Sequence, residues 1–183
     1  MTGMPTSYLT NEHIYLRAVE PQDLEVFYQM ENDPAFWEIS SFSVPYSRYA
    51  LTQYIKHSAN DIFADKQLRL MIARHSDHVV LGTIDLTDFT PLHSRGAVGI
   101  ALLKEHQGNG YAKDALLLLC DYALGFLQMK QLYAHIPADN EASLNLFTRC
   151  GFRACGVMKE WLRAGDAGYK DVVMMQKIMP GRR

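Results

Sequence analysis

Apolar and polar positions recur along the chain with two different periods, and each period predicts one kind of element. Short apolar runs bounded by turn residues predict strands at residues 14–18, 68–73, 79–86, 97–103, 132–136, 154–162 and 169–177. Apolar side chains at helical spacing predict helices through residues 24–30, 48–63, 112–125 and 140–148. Strands mixed with helices and closed by a hairpin indicate an α/β (α+β) fold. We expect one domain over residues 1–183, with a single mixed, mostly antiparallel sheet flanked by helices.

Proline and glycine set the expected ends of several elements. Pro34 is expected to end the first helix, because proline cannot continue the hydrogen-bond ladder. Gly151 is expected to close the helix over residues 140–148 as its C′ residue. Gly99 lies inside a predicted strand, where a glycine marks either a bulge or a place of close packing.

The segment Gln107–Ala112 has the sequence Gln-Gly-Asn-Gly-Tyr-Ala and stands between a predicted strand and a predicted helix. That layout presents free backbone N–H groups and the positive end of a helix to a phosphate. Gly108 and Gly110 lack the Cβ atoms that would keep a pyrophosphate away, and both permit a positive φ. The chain has no Walker A string, and Lys113 stands where a dinucleotide loop needs its third glycine. A glycine turn that caps a helix without a ligand is the alternative.

Composition and charge exclude several classes of protein. With 48% hydrophobic and 21% charged residues, the chain is typical of a soluble globular protein. A formal net charge of −2 gives no argument for a nucleic-acid partner or an anionic membrane. No run approaches the roughly 18 apolar residues of a membrane span. Residues 1–10 lack the basic start and apolar core of a signal peptide, so we expect a cytoplasmic protein. Three cysteines without metal-ligand spacing predict reduced, buried thiols and no metal site.

Three blocks of sequence resemble one enzyme family. The form Gln-x-x-Gly-x-Ala at Gln107–Ala112 resembles the pyrophosphate loop of the GNAT acetyltransferases. Residues 140–152 are similar to that family's Asn-x-x-Ser-x-x-x-Tyr-x-x-x-Gly-Phe signature, and residues 32–37 and 165–171 look like its RimJ/RimL-type and spermidine N-acetyltransferase branch. The order of elements also resembles the acyl-CoA N-acyltransferase fold from end to end. The resemblance implies acetyl transfer from acetyl-CoA to a primary amine, by direct attack on the thioester.

The resemblance also implies where acetyl-CoA binds. The glycine loop would hold the pyrophosphate, and Asn140, with Ser143 beside it, would hydrogen-bond the pantetheine arm. Backbone N–H groups on the Ile100–Leu102 strand edge are expected to stabilise the charge that develops on the carbonyl oxygen, provided that this strand splays from its neighbour. The expected cofactor residues are Ile100, Ala101, Leu102, Gln107, Gly108, Asn109, Gly110, Tyr111, Ala112, Asn140, Ser143 and Phe147.

Acetylation of an amine needs a base, because an alkyl amine of pKa about 10.4 is neutral in only about one molecule in 10³ at pH 7. Asp88 is the first candidate, since it lines up with an acidic substrate-site position of the spermidine enzymes, although it also suits a strand-ending turn. Ser143 is a second candidate catalytic residue. Asp85 is expected to share the face of Asp88, and Glu38 is expected to meet a cationic substrate. We expect His135 to be a structural histidine.

Two positions depart from the family pattern and leave the activity open. Ala97 stands where relatives commonly carry a catalytic Glu, and Phe147 stands where they carry a Tyr that protonates the leaving thiolate. A thiol has a pKa of about 8.5 and leaves well unaided, so neither change excludes turnover. The alternative is an acyl-CoA-binding sensor with weak or no activity. Among acceptors, a polyamine or diamine is slightly favoured over a protein N-terminus or an aminoglycoside. A homodimer through the closing hairpin is also expected.

Overall fold

Seven strands form one sheet within the residues that the computed structural model describes, which are 8–34, 45–58, 61–165 and 168–179. Their order in the sheet is β1-β2-β3-β4-β5-β7-β6, and only β4 and β5 pair in parallel. The predicted mixed, mostly antiparallel sheet is therefore confirmed. The strands are β1 (Ile14–Ala18), β2 (Leu68–Arg74), β3 (Val80–Thr90), β4 (Arg95–Leu102), β5 (Gln131–Pro137), β6 (Arg153–Arg163) and β7 (Tyr169–Ile178).

The helices of the described residues are α1 (Leu24–Glu31), α2 (Arg48–His57), α3 (Ile62–Asp65), α4 (Tyr111–Cys120) and α5 (Glu141–Arg149). Helix α4 continues as a π-helical turn over Asp121–Phe126. The prediction of one helix over residues 48–63 is wrong. The Asp61 carboxylate accepts hydrogen bonds from the backbone N–H groups of Phe63 and Ala64 and so starts a separate short helix.

The end of α1 also differs from the prediction. The helix ends at Glu31, before Pro34 is reached. The Asn32 side chain donates to the carbonyl of Tyr28 at 2.9 Å and accepts from the backbone N–H of Tyr46 at 2.8 Å. An asparagine that binds both the last turn and the start of the next segment ends this helix.

The two faces of the sheet are covered differently. One face packs against α4 and α5 in the main core, where Ile84, Leu86 and Leu132 are fully buried. On the other face, Met71 of β2 packs in a second cluster with partly buried side chains of α1 and α2. Gly99 and His135, farther along that second face, are exposed. The second face of β4 and β5 is therefore where a ligand can approach the sheet.

Strands β4 and β5 pair over only three positions, which end at Ala97 and Tyr133. Beyond that pair β4 stays bonded to β3 as far as Leu102, and β5 stays bonded to β7 as far as Pro137. The two strands therefore diverge, and the edge of β4 from Val98 to Leu102 faces a gap. The splay expected from the sequence is present.

The cause of the irregularity is not the one that the sequence suggested. Gly99 keeps a continuous register with Asp85 of β3, so the expected bulge at Gly99 is wrong. The pairing of β3 with β4 instead shifts between Thr87 and Thr90. Asp88 lies inside this shift with a left-handed φ of 49°, a conformation that costs free energy for a residue with a Cβ.

Candidate active site

The glycine loop has the backbone that the sequence predicted. Gly108 has a φ of 80° and Gly110 a φ of 85°, both in the region that glycine adopts without strain. A Cβ atom added at either glycine would meet nothing within 4 Å. The glycines are therefore required for backbone conformation, and the space above them is open to a ligand.

The N-terminus of α4 is uncapped. Gly110 is its N-cap residue and offers no side-chain acceptor, so the first N–H groups of the helix, including those of Tyr111 and Ala112, have no intrahelical partner. Gln107 donates to the carbonyl of Leu102 at 3.0 Å, and Asn109 donates to the carbonyl of Gln107 at 3.1 Å. These two amides fix the loop, and the free N–H groups beside open space fit the pyrophosphate of acetyl-CoA.

An arginine lies beside the same loop. Arg74, at the end of β2, pairs with Asp77 through two hydrogen bonds of 3.0 and 2.6 Å. The Asp77 hydrogen bond and an interaction with the Tyr111 hydroxyl both raise the pKa of Arg74. Tyr111 is half-buried against the core.

Helix α5 carries the other expected cofactor residues. The side-chain amide oxygen (Oδ1) of Asn140 accepts from the backbone N–H of Ser143 at 3.1 Å, which caps the helix. Phe147 is only 3% exposed and packs edge-on against Phe152, with ring centroids 4.9 Å apart. The expectation that Phe147 lines the cofactor groove must be corrected, because its ring belongs to the core.

A cavity of about 230 Å³ lies on the second face, between α1, α2 and strands β2 and β3. Arg69 crosses it and donates to both oxygens of Asp85 at 2.8 and 2.9 Å. A third hydrogen bond joins Arg69 to Glu31. Asp85 thus lines this cavity, and its charge is paired with that of Arg69. The lining residues are Phe27, Glu31, Tyr46, Ala50, Leu51, Tyr54, Gln67, Leu68, Arg69, Asp85 and Thr87.

Electrostatics in this cavity favour the charged form of Arg69. Burial lowers the pKa of Arg69, but Asp85 and Glu31 more than offset that effect, and the net shift is upward. Burial raises the pKa of Tyr54, which lies in the same cavity. Glu31, Asp85 and Arg69 together give this cavity a formal charge of −1.

Asp88 lies where three strands of the second face meet. Thr87, Ala97 and Tyr133 are successive partners across β3, β4 and β5, so their side chains share one face with Asp85. Three positions separate Asp85 from Asp88, which would put them on opposite faces of a regular strand. The irregular backbone after Thr87 interrupts that alternation, and the Asp88 carboxylate adds to the rise in the pKa of Tyr133 that burial causes.

A second cavity, of about 280 Å³, adjoins this point on β4, β5 and β7. His135 lines it and is exposed, and its ring lies 5.4 Å from that of Tyr133. The histidine is therefore not the structural one expected from the sequence. The lining residues are Arg95, Gln131, Tyr133, His135, Met174 and Gln176.

The remaining expectations concern Glu38, the cysteines, metal sites and membrane-spanning helices. Glu38 lies outside the described residues. Cys120 and Cys150 are buried free thiols, as expected, whereas Cys155 is exposed. In the described ranges, no group of three or more His, Cys, Asp or Glu side chains has the arrangement of a metal site. None of the described helices is long and apolar enough to cross a membrane.

Curated relatives resemble the chain over most of its length. The spermidine N(1)-acetyltransferase of Vibrio cholerae is 25% identical over 169 residues, which cover 90% of this chain and 92% of the relative. The spermidine N(1)-acetyltransferase of Escherichia coli is 26% identical over 168 residues, which cover 88% and 84%. An uncharacterized N-acetyltransferase of Bacillus subtilis is 24% identical over 163 residues, with 88% and 91% covered.

Solved structures and a domain family agree with these relatives. The spermidine N-acetyltransferase of Vibrio cholerae in complex with CoA and spermine superposes with a TM-score of 0.81 at 25% identity, covering 92% of this chain and 96% of that one. The family described as acetyltransferase (GNAT) domain matches residues 13–153. Because that match includes the splayed strands, the glycine loop and α5, the chain belongs to the GNAT family of N-acetyltransferases, which use acetyl-CoA as the acetyl donor.

Proposed function

We propose that the protein acetylates a primary amine of a polyamine or diamine. The observation that carries the proposal is the open edge of β4, which has the glycine loop at one end and the Asp88 side chain at the other. Similarity to spermidine N(1)-acetyltransferases over most of the chain supports the choice of acceptor.

The donor side is formed mainly by backbone groups. The N–H groups from Gly108 to Ala112 receive the pyrophosphate, and the pantetheine arm follows the edge of β4. From Leu102 to Ala97 this edge is about 16 Å long, at roughly 3.3 Å per residue. The N–H groups of Ile100 and Leu102 lie along it, whereas that of Ala101 is directed at β3, because Leu103 donates to Leu81 of β3 and successive N–H groups point to opposite edges. Asn140 with Ser143 faces the arm from α5. Acetyl-CoA supplies the acetyl group as a thioester, whose thiolate is a good leaving group.

The acceptor side is formed by side chains. The cavity crossed by Arg69 has aromatic and aliphatic walls that suit the methylene chain of a polyamine, and Glu31 and Asp85 add negative charge. Asp88 is the proposed acceptor of the amine proton, beside the end of the β4 edge. A single excess negative charge in the cavity favours a cationic acceptor without requiring a fully acidic cleft.

Release of coenzyme A from acetyl-CoA tests the proposal. The purified protein is assayed against spermidine, diamines, short N-terminal peptides and aminoglycosides. Turnover with spermidine or a diamine, reduced about 10²-fold by Asp88→Asn, is the expected result. Turnover confined to peptides or aminoglycosides contradicts the proposed acceptor. Coenzyme A binding without turnover on any amine favours the alternative of an acyl-CoA-binding sensor. That alternative arises because Ala97 and Phe147 replace the catalytic residues of relatives.

The closing hairpin is the proposed contact with a second copy of this chain. Strand β6 is an edge strand, and Val157, Trp161 and Tyr169 of the hairpin are 53%, 60% and 62% exposed. A structure of the Vibrio cholerae relative is described as dodecameric, which supports self-association. Light scattering tests this: the wild type should be oligomeric, and Trp161→Glu should shift it towards the monomer. A monomeric wild type contradicts the proposal.

A further inference from the structure

Gly99 stands inside β4, where neither backbone conformation nor packing requires a glycine. Its φ lies outside the left-handed region, and its register with Asp85 is continuous. An added Cβ would meet one described atom within 4 Å, the Cβ of Asp85, at an ordinary contact distance of 4.0 Å. A glycine inside a strand lowers stability relative to a residue with a side chain. Close packing therefore explains Gly99 no better than the expected bulge does.

Two other glycines of the central strands show what a packing requirement looks like. An added Cβ at Gly82 would lie 2.1 Å from the backbone oxygen of Ala101, and one at Gly96 would lie 2.9 Å from a methyl group of Leu86. Both positions exclude any side chain, whereas Gly99 is exposed. A strand glycine with room above it suits the close approach of a ligand to the sheet.

Gly99 lies between the cavity crossed by Arg69 and the open edge of β4. Arg69, Asp85 and Gly99 are successive register partners across β2, β3 and β4, so the three positions share the second face. The Asp85 carboxylate is bonded to Arg69 on β2 and so is directed away from Gly99. Neighbouring strands lie about 4.8 Å apart, so a short methylene chain connects the cavity with the edge of β4.

The end of that path is the backbone N–H of Ile100. Successive N–H groups of a strand point to opposite edges, and Leu103 donates to Leu81 of β3. The N–H of Ile100 is therefore directed at the gap between β4 and β5, one residue after Gly99. A thioester whose carbonyl oxygen accepts from Ile100 has its carbon next to the open surface of Gly99.

We propose that Gly99 is a specificity-determining position, over which an unbranched alkyl amine crosses β4 to reach the thioester. The distal part of the amine occupies the cavity crossed by Arg69, whose aromatic and aliphatic walls suit methylene groups, and the reacting nitrogen lies at the edge of β4. A side chain at Gly99 would stand in this path. The glycine thus selects thin, flexible acceptors over bulky, ring-shaped ones. This inference rests on the proposed acetylation of a polyamine or diamine.

Gly99→Val tests the path, because it adds a β-branched side chain of a kind that strands favour. We expect kcat/KM for spermidine to fall about 10²-fold, since a displaced nitrogen attacks poorly, with the KM for spermidine raised. Gly99→Ala should give a smaller loss in the same direction. The affinity for coenzyme A should be unchanged, because the N–H groups of the β4 edge are retained. Thermal melting should show no loss of stability in either variant.

Gly156→Val serves as the control for adding a β-branched side chain to an exposed strand. Gly156 lies on β6, and an added Cβ there meets nothing within 4 Å. This variant should keep the wild-type kcat/KM for spermidine. Calorimetric titration of spermidine into the coenzyme A complex gives the same comparison without turnover, and Gly99→Val should bind spermidine more weakly than Gly156→Val does.

Two results overturn the assignment. Wild-type kcat/KM and wild-type spermidine affinity in both Gly99 variants show that no acceptor crosses this position. A coenzyme A affinity that falls as far as kcat/KM assigns Gly99 to the donor side instead. Either result leaves the proposed acetylation intact, because the wild type still turns over. A wild type that neither acetylates nor binds spermidine or a diamine contradicts the proposed function, and the path over Gly99 with it.

Discussion

The proposed donor side and the proposed acceptor side of this enzyme are built from different chemical groups. The donor side consists of a glycine loop, an uncapped helix end and an open strand edge, all of which offer backbone N–H groups. The acceptor side consists of side chains from α1, α2 and five strands, which line the two cavities of the second face. The donor is one fixed molecule that backbone can bind, whereas the acceptor side can change by substitution without disturbing the loop. Changes on one side should therefore leave the other side intact.

Arg69→Met should have the largest effect, and it should be confined to stability and the acceptor. Removing the guanidinium takes away a cation that both Glu31 and Asp85 contact where they are partly buried, so the free energy of unfolding should fall by about 3 kcal/mol. Urea unfolding measures this. Arg153→Met, on the exposed edge strand, is the control and should change little. Coenzyme A affinity of the folded Arg69→Met protein should be unchanged, and a weakened affinity would show that the two sides are coupled.

Gly110→Val should act on the donor side instead and weaken the binding of coenzyme A. A β-branched side chain at a φ of 85° must distort the loop, so coenzyme A should bind about 100-fold more weakly, or roughly 2.7 kcal/mol. Isothermal titration calorimetry measures the affinity. Gly156→Val is the matched control, because an added Cβ at this exposed strand position also meets nothing within 4 Å and φ is not positive. Equal affinities of the two variants would refute the loop assignment.

Two substitutions at Asn140 distinguish its role as a helix cap from its proposed role in binding the cofactor. Asn140→Ala removes the cap of α5 and should cost about 1 kcal/mol of stability. Asn140→Asp keeps an acceptor for the Ser143 N–H but removes the amide donor. If the amide binds the cofactor arm, the aspartate variant keeps its stability and loses coenzyme A affinity. An aspartate variant with full affinity limits Asn140 to capping.

The smallest expected effect is a pH dependence beside the loop. Hydrogen bonding to Arg74 lowers the pKa of Asp77 from 3.8 to about 2. A lowered folded-state pKa means that this pair stabilises the protein above about pH 4 and is lost as pH falls to about 2. The pair is exposed, so the effect should be small and weaker in high salt. The stability difference between wild type and Asp77→Asn should disappear across this range, and a constant difference would contradict it.

The sequence predicted the donor side because that side depends on local patterns. Gly108 and Gly110 have the expected positive φ, and the helix predicted over residues 140–148 begins at Glu141 with Asn140 as its cap. Phe147 was misassigned because an aromatic residue on an amphipathic helix can face the groove or the core, and here Phe152 completes a core pair. The sheet was predictable, whereas the division of the helix predicted over residues 48–63 into two helices depends on one side-chain cap, that of Asp61.

The acceptor side was less predictable because its contacts join residues distant in sequence. Arg69 binds Glu31 and Asp85 across separations of 38 and 16 residues. The one available signal was an arginine inside the apolar run of residues 68–73, since a buried charge requires a partner. Asp88 was a candidate from the sequence, but its left-handed backbone lies in a strand irregularity that no local pattern indicated.

Amide hydrogen exchange with and without coenzyme A, in the absence of an acceptor, tests this division most directly. The protein is labelled and its backbone amides are followed individually by NMR. We expect slowed exchange at the amides of residues 108–112 and along 100–102, with the amides of residues 133–135 little changed. Protection centred on residues 133–135, or none at the loop, would contradict a donor site built from the glycine loop and the open edge of β4.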